Sequence, residues 1–596
     1  MQALQILNDV FGYNSFRSGQ EEIINAILDK KNILAVMPTG AGKSLCYQIP
    51  ALIFSKGTIV VSPLVALMDD QILALKENGI AADRIHSHRS EEINKETLNN
   101  FKTGKIKILY LSPENLMSQK TLNELNNTDI AMFAIDEAHC ISKWGVSFRP
   151  QYEELSRLSK IYPDAVIAGF TATADKDTRE DIIYKLSNYN SKIFVQGFDR
   201  PNLSLAVEQK DDWKKQILIF LENKTNESGI IYCLSRKQTE DVSEFLNKKN
   251  YRAIPYHAGQ ESNVRKNNQE KFMNENGIIM VATIAFGMGI DKSNVRFVAH
   301  LSLPSSIESY YQEIGRAGRD GNPAETLLLY GLNDLFQRRR FIESDGEDYQ
   351  HKLRENKRLY SLLAYCETPI CRKKALLSYF DEHVEDCHNC DNCFNPPKML
   401  DGTKLAQMVL SAIYRSGQIF GTVHIINILL GNKTDKIIEK KHDKIKTFGI
   451  GNSYKKDFWQ GFIRQLISSG HLIINIKKFG CLQITKSGLE ILKDDKYFNY
   501  KEIIFKVTKT TKKNKKTKEV LNIDNNDLQI LTSLKELRLN IAREKSIPAF
   551  VIFPDSSLIE MAKIKPQNLQ EMIKINGVGP NKLKKYGTSF LEVINK

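Results

Sequence analysis

Met37-Pro38-Thr39-Gly40-Ala41-Gly42-Lys43-Ser44 is the stretch that most limits what this chain can become. The apolar run 32–36 before it reads as a buried strand, and 45–53 after it reads as the start of a helix. A strand, a glycine-containing loop ending in Gly-Lys-Ser and a helix make a phosphate cradle. Loop N–H groups and the free N–H groups of the helix N-terminus converge on one spot, where the helix dipole favours an anion. Thr39, Gly40, Ala41 and Gly42 wrap the phosphates, Lys43 sets a cation on the β- and γ-phosphates, and Ser44 offers its hydroxyl to Mg2+. The general pattern begins with Gly where this chain has Met37. On the loop alone, an ordinary tight turn is the competing reading.

Apolar runs then alternate with amphipathic stretches. Segments 58–62, 106–111, 130–135 and 165–170 read as buried strands and 65–78 as a helix. The pattern restarts with strands at 229–233, 252–256, 278–282, 295–300 and 326–330, and helices at 236–249, 260–274 and 307–315. Such alternation predicts parallel sheets covered on both faces, two in tandem, with Phe198-Asp199-Arg200-Pro201-Asn202 as a polar break between them. Ligands in such sheets lie beyond the carboxyl ends of the strands, so two sheets can share one ligand in the cleft between them.

Asp136 and Glu137 leave the end of strand 130–135. Beside a phosphate loop, Asp136 is the natural second Mg2+ anchor, and Glu137 orients or deprotonates the attacking water. In Tyr310-Tyr311-Gln312-Glu313-Ile314-Gly315-Arg316-Ala317-Gly318-Arg319, the two arginines are three positions apart and share a face. An arginine delivered onto a γ-phosphate from another domain is worth about 10³–10⁵ in rate.

At 596 residues, about four domains are expected, and the formal charge of +14 suits a polyanionic partner. There is no leader-like start and no long uncharged apolar span, so a soluble cytoplasmic chain is expected. Nine cysteines without an export signal argue against a disulfide scaffold. Cys387, Cys390 and Cys393 lie at two-residue gaps, and Cys371 lies sixteen positions before the first of them. Four thiolates at that spacing suit a closed, tetrahedral structural Zn2+. The intervening 372–380 reads as a helix, Cys366 and His388 as bystanders, and Cys46, Cys140, Cys233 and Cys481 as scattered core or surface residues.

These motifs, taken in order with Phe11-Gly12-Tyr13, Phe16-Arg17-Ser18-Gly19-Gln20, Ser62-Pro63-Leu64, Phe170-Thr171-Ala172-Thr173-Ala174, Tyr256-His257-Ala258-Gly259 and the stretch from Ala282 to Lys292, resemble the RecQ family of superfamily 2 DNA helicases, bacterial type. The resemblance implies an adenine clamp from Arg17 and Gln20, with Tyr13 stacked on the base. It makes Gln312, Arg316 and Arg319 catalytic alongside Lys43, Asp136 and Glu137. It also makes Met37 unexceptional and agrees with four zinc-binding cysteines. One departure stands out. The family's aromatic loop usually reads Gln-Trp-Gly-His-Asp-Phe-Arg-Pro, and here it reads Lys143-Trp144-Gly145-Val146-Ser147-Phe148-Arg149-Pro150. Trp144 and Phe148 keep flat faces for bases, worth about 1–3 kcal/mol per stack, and Arg149 keeps its charge. The lost His-Asp pair is expected to loosen the coupling between DNA and ATP turnover.

Beyond residue 400, short helices followed by apolar strands at 472–476 and 481–484 suit a winged helix, in which Lys455, Lys456 and Arg464 are expected to hold duplex phosphates. Segment 506–518 is a polybasic linker. The last stretch resembles the helicase-and-ribonuclease-D C-terminal domain, whose turn 576–580 can hold a phosphate at a helix start.

The expected fold is therefore multidomain α/β. RecA-like domains fill 1–205 and 206–340, a zinc-binding helical module 341–400, a winged helix 401–505, a Lys-rich linker 506–523 and a small helical bundle 524–596. The resemblance implies an ATP-, Mg2+- and Zn2+-dependent 3′-to-5′ DNA helicase. It would work as a nucleoid-associated monomer on single-stranded and forked duplex DNA, with single-strand-binding protein as a partner and no membrane. An RNA helicase of the same superfamily and a non-hydrolysing DNA-binding or annealing protein are the competing readings; the latter requires dead catalytic residues, and none is dead.

Overall fold

The computed structural model of the chain describes residues 2–595 except 39, 64, 87–88, 127, 143–148, 285, 287–291, 345–348, 476–480, 503–524, 546 and 548. The first lobe is a seven-stranded sheet: β1 (Ile33–Val36), β2 (Gly57–Val61), β3 (Ala82–Ile85), β4 (Ile108–Leu111), β5 (Ile130–Ile135), β6 (Val166–Thr171) and β7 (Lys192–Val195), in the order β3-β4-β2-β5-β6-β1-β7. The second is six-stranded: β8 (Leu203–Gln209), β9 (Ser228–Tyr232), β10 (Arg252–Tyr256), β11 (Ile278–Ala282), β12 (Val295–His300) and β13 (Ala324–Tyr330), in the order β10-β11-β9-β12-β13-β8. Every pairing in both sheets is parallel. Strands β1, β4, β6, β9 and β11 are buried throughout, as an all-parallel sheet with both faces covered requires.

The sequence reading misses β3, β7 and β8. All three are partly exposed edge strands, and none carries an apolar run longer than three residues. Because β8 pairs with β13, the change of lobe falls in the break before residue 203, and a boundary at 205/206 would cut a strand.

The helix Tyr349–Glu367 and the cysteine-bearing segment follow the second lobe. A winged-helix arrangement comes next. It consists of helices Thr403–Arg415, Thr422–Leu430 and Lys456–Ser468 and the antiparallel pair β15 (Leu472–Asn475) and β16 (Cys481–Ile484), with β14 (Met399–Asp401) paired to β17 (Asn499–Lys501). The hairpin tip and the polybasic linker lie outside the described residues.

Helices Asn525–Glu544, Asp555–Ile564 and Pro580–Ile594 form the C-terminal bundle around Leu534, Phe553, Leu558, Met561 and Phe590. The bundle folds back on both lobes. Lys585 pairs with Glu77 at 3.1 Å, the Tyr586 hydroxyl donates to Glu77 at 2.8 Å, and Asn581 donates to the Asn78 carbonyl at 2.9 Å. On the second lobe, Lys292 lies among Asp555, Arg538 and Lys535. The turn 576–580, for which a phosphate grip and a merely solubilising role are equal expectations, packs against lobe one. Gly577 N–H donates to the Gly12 carbonyl at 2.7 Å, and a Cβ on Gly579 would lie 2.6 Å from the Val10 carbonyl oxygen. Among the described residues, no helix is long and apolar enough to cross a membrane.

Lys582 sits in this joint, 8% exposed, and its pKa is lowered to about 8 by burial against the opposing pull of Glu77. The docked state therefore holds fewer protons than an undocked one, in which the amine titrates near its ordinary value of about 10.4. Docking should tighten as pH rises from about 8 towards about 10. Hydrogen-exchange protection of the Gly577 amide, corrected for the intrinsic rate, should rise over that window, and Lys582→Met should flatten the rise. An unchanged profile in that variant would contradict the assignment.

Candidate active site and metal centre

The order β5-β6-β1 puts three motif-bearing strand ends side by side. From β1 comes the phosphate loop, with Met37 N–H bonded to the Thr171 carbonyl of β6 at 2.9 Å. The helix Lys43–Ile53 begins at Gly42, whose φ of 81° and contact with Gln20 exclude a side chain: a Cβ would lie 2.5 Å from Gln20 Nε2. Gln20 is buried and fully engaged. Its amide donates to the Ala41 and Gly42 carbonyls, both at 3.1 Å, and its Oε1 accepts from Arg17 N–H at 2.9 Å. The Arg17 guanidinium donates to the Gly40 carbonyl. The pair expected to clamp adenine thus ties off the loop carbonyls, which would otherwise repel a phosphate. Tyr13 lies half-buried against the lobe-one core beside the Gly12 contact with the bundle. Thr39 lies outside the described residues.

Lys43 Nζ sits 3.3 Å from the Met37 carbonyl. Burial lowers its pKa, Glu137 and Asp136 pull it back up, and Arg319 adds to the lowering. Asp136 is pushed up to about 7, first by burial and next by Glu137, while Lys43 opposes. Two carboxylates in one partly buried pocket call for a cation beside them, and hard oxygen donors from Asp136 and Ser44 suit Mg2+. Glu137 has a φ of 49°, an uncommon conformation for a residue with a side chain. Its Oε2 is buried and accepts no hydrogen bond among the described residues.

A polar chain runs from Glu137 to the second lobe. His139 Nδ1 lies 3.3 Å from Glu137 Oε2 and 2.9 Å from Thr171 Oγ1. Thr171 Oγ1 gives its only proton to the Thr173 carbonyl at 3.1 Å, so it accepts from His139, which fixes the Nδ1–H tautomer. Burial lowers the His139 pKa and keeps the ring neutral. Gln312 of the second lobe then donates to Thr173 Oγ1 at 2.7 Å. The helix Ile307–Ile314 that carries Gln312 leads into the turn bearing both arginines. Arg319 reaches the phosphate loop: a Cβ on Gly40 would be 3.8 Å from its Cγ. Arg316 is turned inward and bonds Tyr232, which stacks on His300 at 5.1 Å.

Sequence reading passed over Arg200 and Asn202 as part of a polar break. Arg200 donates to the Ala317 and Gly318 carbonyls at 2.9 and 3.0 Å, and Asn202 to the Gly318 and Asn322 carbonyls, both at 2.8 Å. These bonds set the arginine turn, in which Gly318 has a φ of 59° and a Cβ would lie 2.9 Å from the Asn322 carbonyl oxygen. The available signal was the pair of polar residues flanking Pro201.

Cys371, Cys387, Cys390 and Cys393 have their sulfurs within 4.8 Å of one another and form no disulfide. The Cys387–Cys393 and Cys371–Cys390 sulfurs are 3.9 and 4.0 Å apart. A tetrahedron with Zn–S near 2.3 Å has an edge of about 3.8 Å, so the donor set fits Zn2+. Backbone N–H groups of Arg372 and Cys387 point at the Cys390 and Cys371 sulfurs at 3.3 Å each, as thiolates favour. Cys366 lies outside the cluster and is buried, as are Cys46, Cys140, Cys233 and Cys481.

The DNA-facing residues divide. Trp144 and Phe148, with Val146 and Ser147, lie outside the described residues. Arg149 donates to the Pro63 carbonyl at 3.1 Å, and Lys455 and Lys456 are exposed at the start of helix Lys456–Ser468. Arg464 does not face DNA. It is 4% exposed, paired with Glu367, bonded to Gln209 at 3.1 Å and set over the Tyr330 ring at 5.0 Å. It pins the winged helix to the second lobe. It sits on the inner face of an amphipathic helix, which its charge concealed in the sequence.

The comparisons with known proteins agree with this architecture. The DEAD/DEAH box helicase family matches residues 17–182, the helicase conserved C-terminal domain 209–321, RecQ zinc-binding 332–394, the RQC domain 396–514 and the HRDC domain 527–594. The chain is 43% identical over its whole length to the ATP-dependent DNA helicase RecQ of Haemophilus influenzae, covering 96% of that protein. It is 41% identical to the protein of the same name from Pasteurella multocida, covering 94% of it, and 39% identical to that of Bacillus subtilis, covering 98%; both matches take in the whole chain. The chain belongs to the RecQ family of ATP-dependent DNA helicases. It is accordingly an ATP-hydrolysing enzyme with a zinc-binding module.

Arg464→Ala should destabilise the chain by about 3–5 kcal/mol, because it leaves the Glu367 carboxylate buried and unpaired. Denaturant titration reads this loss. The salt dependence of DNA binding should stay as in the parent chain, whereas exchanging Lys455 and Lys456 for Ala should reduce it.

Proposed function

We propose that this chain turns ATP hydrolysis into 3′-to-5′ movement along single-stranded DNA and separates duplex at forks, in recombination, repair and the restart of replication. The observation that carries the reading is the meeting of the lobes at the phosphate loop, with Gln312 on Thr173 and Arg319 beside Gly40 and Lys43.

ATP lies between the lobes. The phosphate-loop residues Thr39, Gly40, Ala41 and Gly42 receive the triphosphate and Lys43 neutralises its outer charge. Tyr13, Arg17 and Gln20 lie at the base end. Ser44 and Asp136 would hold Mg2+, which would supply charge neutralisation at the phosphates. Glu137 holds the attacking water with its open Oε2, steadied by neutral His139. Arg319 meets the charge that develops on the γ-phosphate, and Arg316 joins it when closure releases the arginine from Tyr232. Closure around ATP and reopening after hydrolysis would move the lobes along the strand. Trp144, Phe148 and Arg149 grip single-stranded DNA, and Lys455 and Lys456 hold duplex phosphates. Cys371, Cys387, Cys390 and Cys393 would hold Zn2+ as a structural centre that closes their module.

The family resemblance supports the polarity, a cytoplasmic and nucleoid-associated place of work, a single-strand-binding partner and a monomeric state. An RNA-unwinding alternative is separated by strand displacement on matched DNA and RNA duplexes.

Lys43→Ala should abolish ATP hydrolysis and unwinding of a forked DNA while single-strand binding persists. Arg319→Ala should lower turnover by about 10³-fold or more. Unwinding that survives Lys43→Ala would end the proposal.

A further inference from the structure

The chain passes from β7 of the first lobe to β8 of the second through residues 196–202. Closure of the lobes must pivot there, since hinges are the few loop positions that absorb the backbone change. A pivot in water would be loose, and this one is not.

Phe198 is 1% exposed. Its ring stacks on Phe380 at 4.6 Å with an interplanar angle of 18° and meets the edge of Tyr311 at 5.7 Å. Its N–H donates to the Glu382 carboxylate, and its carbonyl accepts the Tyr311 hydroxyl at 2.8 Å. The next residue, Asp199, pairs with Lys373 at 2.7 Å. After that, Arg200 grips the arginine turn.

Phe380 and Glu382 belong to the zinc module, in the turn that follows helix Arg372–Ser378. That turn also touches both lobes: Asp381 pairs with Arg179 of the first at 2.8 Å, and the Tyr379 hydroxyl donates to Glu308 of the second at 2.7 Å. Cys371, a zinc ligand by geometry, is the N-cap of the same helix. One end of this short helix is therefore anchored at the metal centre and the other grips the pivot.

We propose that the turn 379–382 positions the hinge for ATP turnover, with Phe380 and Glu382 as the positioning residues, so that the zinc module sets how the second lobe presents Arg319 to the phosphates. Neither side chain touches nucleotide. They act through Phe198 and Arg200 on the arginine turn. The module thus contributes to the rate of the motor as well as to its folding. This rests on the reading of Arg319 as the residue that completes the site.

Glu382→Ala leaves the Phe198 N–H without its acceptor, whereas Glu382→Gln keeps an acceptor oxygen. In the full chain, Glu382→Ala should retain zinc and ADP affinity while DNA-stimulated kcat falls on the order of tenfold, and Glu382→Gln should recover most of the loss. Phe380→Leu, which keeps an apolar contact but loses the ring stack, should fall between them. If kcat is unchanged in Glu382→Ala, or falls only together with zinc content or ADP affinity, the turn is a brace and the inference fails. Arg319→Ala measured alongside separates the two readings. Normal turnover there overturns the shared site itself, whereas slow turnover there with normal Glu382→Ala overturns only the role of the hinge.

Discussion

The 2.7 Å hydrogen bond from Gln312 to Thr173 Oγ1 is the contact on which the rest of the structure depends. It joins the helix before the arginine turn to the end of β6, the strand lying between the phosphate loop and the acidic motif. Both partners are fixed by buried neighbours. Thr173 is tied through its carbonyl to Thr171, and Thr171 to His139 beside Glu137. Thr173 is buried, so leaving its hydroxyl unpaired costs about 1–3 kcal/mol and favours this arrangement. The position of one lobe is thereby tied, through Thr173, Thr171 and His139, to the surroundings of Glu137 on the other.

Electrostatics in the cleft favours a bound anion and its metal. Burial lowers the Lys43 pKa and raises that of Asp136, while the two groups oppose these shifts in each other. A triphosphate with a divalent cation would balance these charges.

Much of this was legible in the residues. The phosphate loop, the acidic motif, the arginine turn and the four cysteines each carry a local pattern, and the central strands declare themselves as unbroken apolar runs. What escaped depends on partners far away in sequence. Edge strands β3, β7 and β8 are short or interrupted by polar residues, with no apolar run longer than three. Arg464 looks like a surface cation because Glu367, 97 positions earlier, is invisible to a local reading. The bonds from Gln20 to the Ala41 and Gly42 carbonyls, more than twenty positions on, are likewise invisible to a local reading. The turn 576–580 resembled a phosphate grip because an isolated helix start is one, until Gly12 occupies it.

The account stands on communication between lobes, and a double-mutant cycle on DNA-stimulated kcat with Gln312→Ala and Thr173→Ala tests it most directly. If the contact is the link, the second substitution adds little to the first, with a coupling energy of about 1 kcal/mol or more. Effects that simply add, to within about 0.5 kcal/mol, would show that the lobes do not speak through this bond.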